Sequence, residues 1–396
     1  MNTQKKLLIS LMGFAAVATT ACEKTDRSFS LLDAGSSFQQ APNYVPRKID
    51  ILWVIDNSGS MQSSQDNLTA SFNVFINKFQ EKKYDFHMAV TGTDAWRATA
   101  QNMSTPNGLS NANLYRRARP GAINFTTTPL SLLTNSGVNV MDMTTPNLAS
   151  TFITNAAQGI KGTGDERAFR SFKEFLNYSG NDDFRRADAI LAVIIVSDED
   201  DFSGNTNLPI YGDYNDEAPH NQPSEDPLVL MAPSPADPLD VYHLYNDARL
   251  DSVSSYKDYL DGLVGAGNYS VNMIGVLDTD CRTTLNNDIG GRRIGRRYMQ
   301  LADLTGGVKT SLCGNFGDSL QLISDSIIKL TSSFKLNREP DISTIHVVVD
   351  GATIAQDPVN GWSYDAATWT VTFNGSSVPA QGSSIQILFT PLRADN

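Results

Sequence analysis

Two apolar runs of strand length constrain this chain more than anything else in it. One is Ile49-Asp50-Ile51-Leu52-Trp53-Val54-Ile55, and the other is the uninterrupted stretch Ala189–Val196. A strand with one wet face alternates apolar and polar residues. A strand that is apolar throughout is covered on both faces, which is the environment inside a parallel sheet. The segments between and after these runs carry a helical period. Leu68, Phe72, Phe75, Ile76 and Phe79 share one stripe, and Ala168, Phe169, Phe172, Phe175 and Leu176 share another. Further strands are expected at Asp85–Thr91 and Tyr269–Leu277, with a last helix marked by Leu320, Ile323, Ile327 and Leu330. Strands alternating with helices imply right-handed crossovers. The expected fold is therefore α/β: a doubly wound, mostly parallel sheet with helices on both faces, over residues 48–336.

The rest of the chain divides around that body. Two stretches break the rhythm: 97–150, rich in Asn, Thr and Gly, and 202–240, which carries seven prolines from Pro209 to Pro238. Long insertions of this kind are functional loops or disorder. After Leu336 the period changes to two, with Trp369, Val371 and Phe373 and then Ile385, Ile387 and Phe389 alternating with other residues. Asp350-Gly351 and Asn374-Gly375 are hairpin-type dipeptides. Residues 337–396 thus read as a small antiparallel β module resting partly on the α/β body.

Residues 1–21 read as an export signal. Lys5 and Lys6 precede the short apolar segment Leu7–Ala18, and Ala21-Cys22 follows. The site resembles that of a bacterial lipoprotein, in which Cys22 becomes the lipidated N-terminus, although Thr19 stands where an aliphatic residue is usual. The alternative is ordinary secretion with cleavage near Ala21. Residues 22–47 are polar and small and read as a flexible tether. With Cys22 lipidated, Cys281 and Cys313 remain as a pair, and export favours a disulfide between them. Loss of the signal removes two lysines and takes the formal charge from −12 to −14. Such a surface repels phosphate backbones, which argues against nucleic acid as a partner. The membrane would be reached through the N-terminal lipid only. The expected location is the cell envelope, with Glu23 after the cysteine favouring the outer membrane, or the medium if the chain is secreted.

In an open parallel sheet, ligands bind beyond the carboxyl ends of the strands. Asp56-Asn57-Ser58-Gly59-Ser60 follows the first apolar run, and Ser197-Asp198-Glu199-Asp200-Asp201 follows the second. Gly162-Thr163-Gly164-Asp165-Glu166 precedes a helix. These loops offer hydroxyls and carboxylates without His or Cys, a ligand set for a hard divalent cation. Taken singly, each loop also fits a bland role. Asp56, Ser58 and Ser60 suit a strand-end turn and helix cap, Thr163 a loop or cap residue, and Asp200 and Asp201 a solvated acidic loop or a second cation site. The arginines at 292, 293, 296 and 297 suit either the balancing of local acids or a binding patch.

Together the loops resemble those of the von Willebrand factor A (integrin I-like) family, with its metal-ion-dependent adhesion site. The D-x-S-x-S motif stands as Asp56, Ser58 and Ser60, while Thr163 and Asp198 match the family's threonine and second aspartate by position. Leu301–Gly307 resembles its helix-to-last-strand segment. The third loop departs from the family's frequent Asp-Gly, because Glu199 follows Asp198. The resemblance implies Mg²⁺, or Mn²⁺ or Ca²⁺, held by Asp56, Ser58, Ser60, Thr163 and Asp198. It also implies a protein or glycan partner that offers a carboxylate to the metal. His87, His220, His243 and His346 form no metal-binding or catalytic spacing, so binding rather than catalysis is expected. The rival expectation is a structural envelope or assembly component in which the cation only stabilises the fold.

Overall fold

The computed structural model describes residues 38–39, 47–93, 95–98, 136–160, 166–178, 181–204, 250–288 and 291–392. At its centre lies a five-stranded sheet, parallel throughout. It is built from β2 (Ile49–Ile55), β3 (Phe86–Gly92), β4 (Ile190–Ser197), β5 (Tyr269–Gly275) and β6 (Lys309–Ser311), in the order β3-β2-β4-β5-β6. The strand nearest the start of the chain thus lies inside the sheet. Crossovers leave it in opposite directions, so the strand order reverses between β2 and β4.

The burial pattern explains why the two apolar runs admit no other reading. Along β2, Ile49, Ile51, Trp53 and Ile55 enter one core, and Leu52 and Val54 enter the other. The first core is closed by α1 (Gln62–Glu81), α2 (Leu148–Ala156) and α7 (Phe316–Thr331). Here Trp53 meets Phe75 and Phe152 edge-on, with centroids 5.1 and 5.2 Å apart. The second is closed by α3 (Ala168–Asn177), α4 (Val253–Val264) and α6 (Arg296–Thr305), with α5 (Thr279–Asn286) preceding α6. Asp50, the polar residue within the first run, is buried against Arg186, whose Nε lies 2.8 Å from its Oδ1. Pairing of this kind is what makes a carboxylate tolerable in a strand interior.

The C-terminal module has two small antiparallel sheets, ordered β1-β12-β8-β9 and β10-β11-β7. They are formed by β7 (Ser333–Lys335), β8 (His346–Val349), β9 (Ala352–Ile354), β10 (Trp362–Asp365), β11 (Thr370–Phe373), β12 (Ile385–Phe389) and β1 (Phe38–Gln39). Three expectations change here. Phe38–Gln39, within the expected tether, pairs as a strand with Phe389 and Leu388. The module also draws in β7, ahead of residue 337. Finally, the two sheets enclose a core of their own, including Phe334, Val347, Trp362, Val371, Phe373 and Ile387. The junction with the α/β body is narrower, with Val378 packing against both cores and Tyr84 Oη donating to the Pro379 carbonyl at 3.1 Å.

Asp350-Gly351 makes the expected two-residue hairpin between β8 and β9, with φ of 49° and 82°. Asn374-Gly375 does not make a hairpin. Gly375, at φ 55°, begins a short 3₁₀ turn in which a side chain would collide with the Val359 carbonyl. Residues 1–37, with the export signal and Cys22, lie outside the described residues, as do 99–135 and 205–249, most of the two insertions. Among the described residues no helix is long and apolar enough to cross a membrane.

Candidate metal centre at the carboxyl edge of the sheet

The parallel register sets Ile55 of β2 beside Val196 of β4, and the Asp56 amide continues the ladder onto the Val196 carbonyl at 2.9 Å. Asp56 and Asp198 therefore leave the sheet from the two strands that flank the reversal in strand order. Asp56 is fully buried. Its Oδ1 accepts the Ser58 amide and its Oδ2 accepts the Ser197 hydroxyl, both at 2.7 Å. The Ser58 and Ser60 hydroxyl oxygens are 3.2 Å apart, and Ser60 Oγ donates to Asp198 Oδ1 at 3.0 Å. Four of the five expected ligands thus meet in one connected cluster. Thr163, the fifth, lies outside the described residues.

Burial pushes the Asp56 carboxyl up to about 7, and the charge of Asp198 beside it acts in the same direction. Asp198 is raised by burial as well, against the opposing effects of Ser60 and Arg292. Two carboxylates held close together in a low-dielectric setting create a demand for positive charge. A divalent cation meets that demand directly.

Part of it is already met from within the chain. Arg292 Nε lies 3.0 Å from Asp198 Oδ2, with both side chains buried, and another guanidinium nitrogen donates to the Ser60 carbonyl at 3.1 Å. Gln65, which the sequence reading did not single out, helps to build this site, as do Ser197, named there only as part of the third loop, and Arg292, which pairs with Asp198 as the acid-balancing reading of the arginine cluster expects. The Gln65 amide donates to the carbonyls of Asp56 and Gly159 and accepts the Gln158 amide. It thereby ties the first loop to the backbone that leads into residues 161–165. A sequence signal existed for Gln65, a polar residue in line with the apolar stripe of α1. For Arg292 the signal was the basic cluster itself, which does not name its partner 94 residues away.

The donor set suits a hard cation. It consists of two carboxylates and two hydroxyls. Among the described residues no group of three or more His, Cys, Asp or Glu side chains is placed to hold a metal, so an ion here would depend on hydroxyls and waters as well. Asn57 and Thr93, on the loops that follow β2 and β3, are fully buried. Both side-chain atoms of the Asn57 amide and the Thr93 hydroxyl lack a hydrogen-bond partner among the described residues. Buried polar groups of this kind call for a further hydrogen-bond partner.

The remaining acids of the third loop do something else. Asp200 and Asp201 are buried, so the solvated-loop expectation is corrected. Asp201 accepts the Phe169 amide at the start of α3, the Ser203 amide and the Ser203 hydroxyl, and it pairs with Arg297. Asp200 accepts the Arg297 amide in the first turn of α6 at 2.9 Å, and burial pushes its carboxyl up to about 7. Each carboxylate thus serves a helix N-terminus, where amides lack partners within the helix. The arginine cluster balances these acids. Arg292 serves Asp198, Arg293 approaches Glu199 at 3.9 Å, and Arg297 serves Asp201. Cys281 and Cys313 form the expected disulfide, which links α5 to the segment between β6 and α7.

No family model and no curated protein matches the chain. Solved structures similar to it include the pilus adhesin SpaC from Lactobacillus rhamnosus GG, at 12% identity over 89% of this chain and 42% of the adhesin, with a TM-score of 0.37. Proximal thread matrix protein 1 from the mussel byssus matches at 11% identity over 75% of this chain and 51% of its own, with a TM-score of 0.32. The human COPII-coat protein Sec24c matches at 9% identity over 89% of this chain and 40% of its own, with a TM-score of 0.29. The chain spans less than half the length of the adhesin. At these TM-scores the functional argument rests on the geometry at the carboxyl edge.

Proposed function

We propose that this chain is a von Willebrand A-type, divalent-cation-dependent binding protein of the cell envelope. It captures a protein or glycan partner through a carboxylate. The observation that carries the proposal is the convergence of Asp56, Ser58, Ser60 and Asp198 where the strand order reverses, at the carboxyl ends of β2 and β4. In it, Asp56, Ser58, Ser60 and Asp198, together with Thr163, hold Mg²⁺, Mn²⁺ or Ca²⁺. The bound cation supplies the positive field that lets an acidic chain accept an acidic group. Capture makes and breaks no covalent bond. The Cys281–Cys313 disulfide supports export, and Cys22 provides the lipid anchor.

The test is retention of the full chain on an immobilised polyglutamate surface. Binding in Mg²⁺ or Mn²⁺, its loss in chelator, and its loss in Asp56→Ala are expected. Equal retention in all three conditions would overturn the proposal. A second reading is favoured by one observation, the buried pairing of Arg292 with Asp198 and of Arg297 with Asp201. In that reading the edge is a structural knot of an assembly component, and any cation only stabilises the fold.

A further inference from the structure

The guanidinium of Arg292 meets the chain at three places, and its backbone amide at a fourth. Its Nε is 3.0 Å from Asp198 Oδ2, its terminal nitrogens donate to the carbonyls of Leu285 at 2.7 Å and Ser60 at 3.1 Å, and its own amide is held by Asn286 Oδ1 at 3.0 Å. The side chain is buried, and Leu285 and Asn286 belong to the helix that the disulfide secures. This is not a surface arginine resting on an acid. It is a fixed positive charge built against one of the two carboxylates that a cation would use.

Resting on the proposed cation-binding reading, we infer that Arg292 is a positioning residue that sets the charge of this site: it holds Asp198 and Ser60 in place, lowers the site's affinity for a divalent cation, and raises the loaded site's affinity for an acidic ligand. The reasoning is electrostatic. Two ionised carboxylates would neutralise a divalent cation and leave little attraction for an acid. With the guanidinium alongside, the loaded cluster keeps one positive charge, in a buried setting where a charge acts strongly on its neighbours. Arg292 also competes with the cation for Asp198 Oδ2, so the metal-free site is already partly neutralised and stays folded. That arrangement fits a receptor whose metal remains an acceptor for acids, in place of one that holds its cation as tightly as it can.

The test measures two affinities whose changes run in opposite directions. Mn²⁺ binding to the full chain is titrated at pH 8 in wild type, Arg292→Met, Arg292→Gln and Arg292→Lys. Polyglutamate binding is then measured on each Mn²⁺-loaded protein. Removal of the charge in Arg292→Met and Arg292→Gln is expected to tighten Mn²⁺ by about tenfold or more and to weaken polyglutamate by a similar factor. Arg292→Lys keeps the charge but not the fork that reaches Leu285 and Ser60, so it is expected to shift both affinities in the same directions as the neutral variants, by a smaller factor. Arg292→Gln retains a donor for Asp198, so it stands in if Arg292→Met fails to fold. A wild type that binds Mn²⁺, with the two neutral variants binding it no tighter, overturns this inference and leaves the cation site intact. A wild type that binds no Mn²⁺, Mg²⁺ or Ca²⁺ overturns the underlying reading and this inference with it.

Discussion

Asp198 and Asp201 stand three residues apart in one loop and are equally buried, yet their surroundings differ in kind. Asp201 is closed off by two backbone amides, one hydroxyl and an arginine. An amide hydrogen only donates, so its partner stays a carboxylate oxygen. Asp198 instead receives a serine hydroxyl and an arginine, and that hydroxyl adjoins a second one. A hydroxyl can rotate and turn its lone pairs to a cation with no movement of the backbone. One half of the loop is therefore fixed architecture and the other half is convertible. The lesson is that burial and charge alone do not mark a ligand site. The chemistry of the donors facing the carboxylate does.

The comparison is broken most severely at the fixed half. Asp201→Ala removes the acceptor of the Phe169 amide at the start of α3 and of the Ser203 loop amide, and leaves Arg297 without its buried partner. A loss of about 3–5 kcal/mol in urea denaturation is expected, equal in cation and in chelator. A loss that the cation repairs would show that the two halves are not distinct. The next largest effect concerns the support of Arg292. Cys313→Ser opens the bridge to α5, and the chain-entropy relation puts its cost at about 3–4 kcal/mol. Reduction of the wild-type disulfide should reproduce that loss.

The pH dependence sharpens the comparison further. Burial raises the folded-state carboxyls of both Asp56 and Asp200 to about 7. Folding is therefore favoured most when both are protonated, below the ordinary carboxylate range. The stability they contribute falls as pH rises from that range through about 7. In chelator, unfolding free energies should thus be lower at pH 8 than at pH 5 by a few kcal/mol. Mn²⁺ at pH 8 should restore the share due to Asp56 and leave that due to Asp200. The smallest effect is that of Ser60→Ala. Loss of one hydroxyl bond to Asp198 costs about 1 kcal/mol in chelator, while the stabilisation by Mn²⁺ is expected to drop.

The parallel sheet was legible because its evidence is local. Two apolar runs declare burial on both faces, and the residues that follow a parallel strand necessarily leave at its carboxyl edge. Asp56, Ser58, Ser60 and Asp198 were found for that reason. What stayed hidden depends on tertiary placement. Arg292 reaches Asp198 across 94 residues, and Asp201 meets the helix start at Phe169 across 32. The sequence marks Arg292 as one of a basic cluster and Asp201 as one of an acidic run, but it names the partner of neither. Asn374-Gly375 shows the limit from the other side. The dipeptide does record a positive φ, but the cause is a close approach to the Val359 carbonyl and not a hairpin. The short strand at Phe38–Gln39 was masked by its polar, small-residue surroundings, and its partner lies at the far end of the chain.

The most direct measurement is thermal unfolding of wild type and Asp56→Ala in Mg²⁺, Mn²⁺, Ca²⁺ and chelator. A ligand that binds only the folded state must raise its stability. A cation-specific rise in the wild type that is absent in Asp56→Ala is the expected result. Superimposable curves in every condition would contradict a cation site between β2 and β4, and would leave the edge a structural knot.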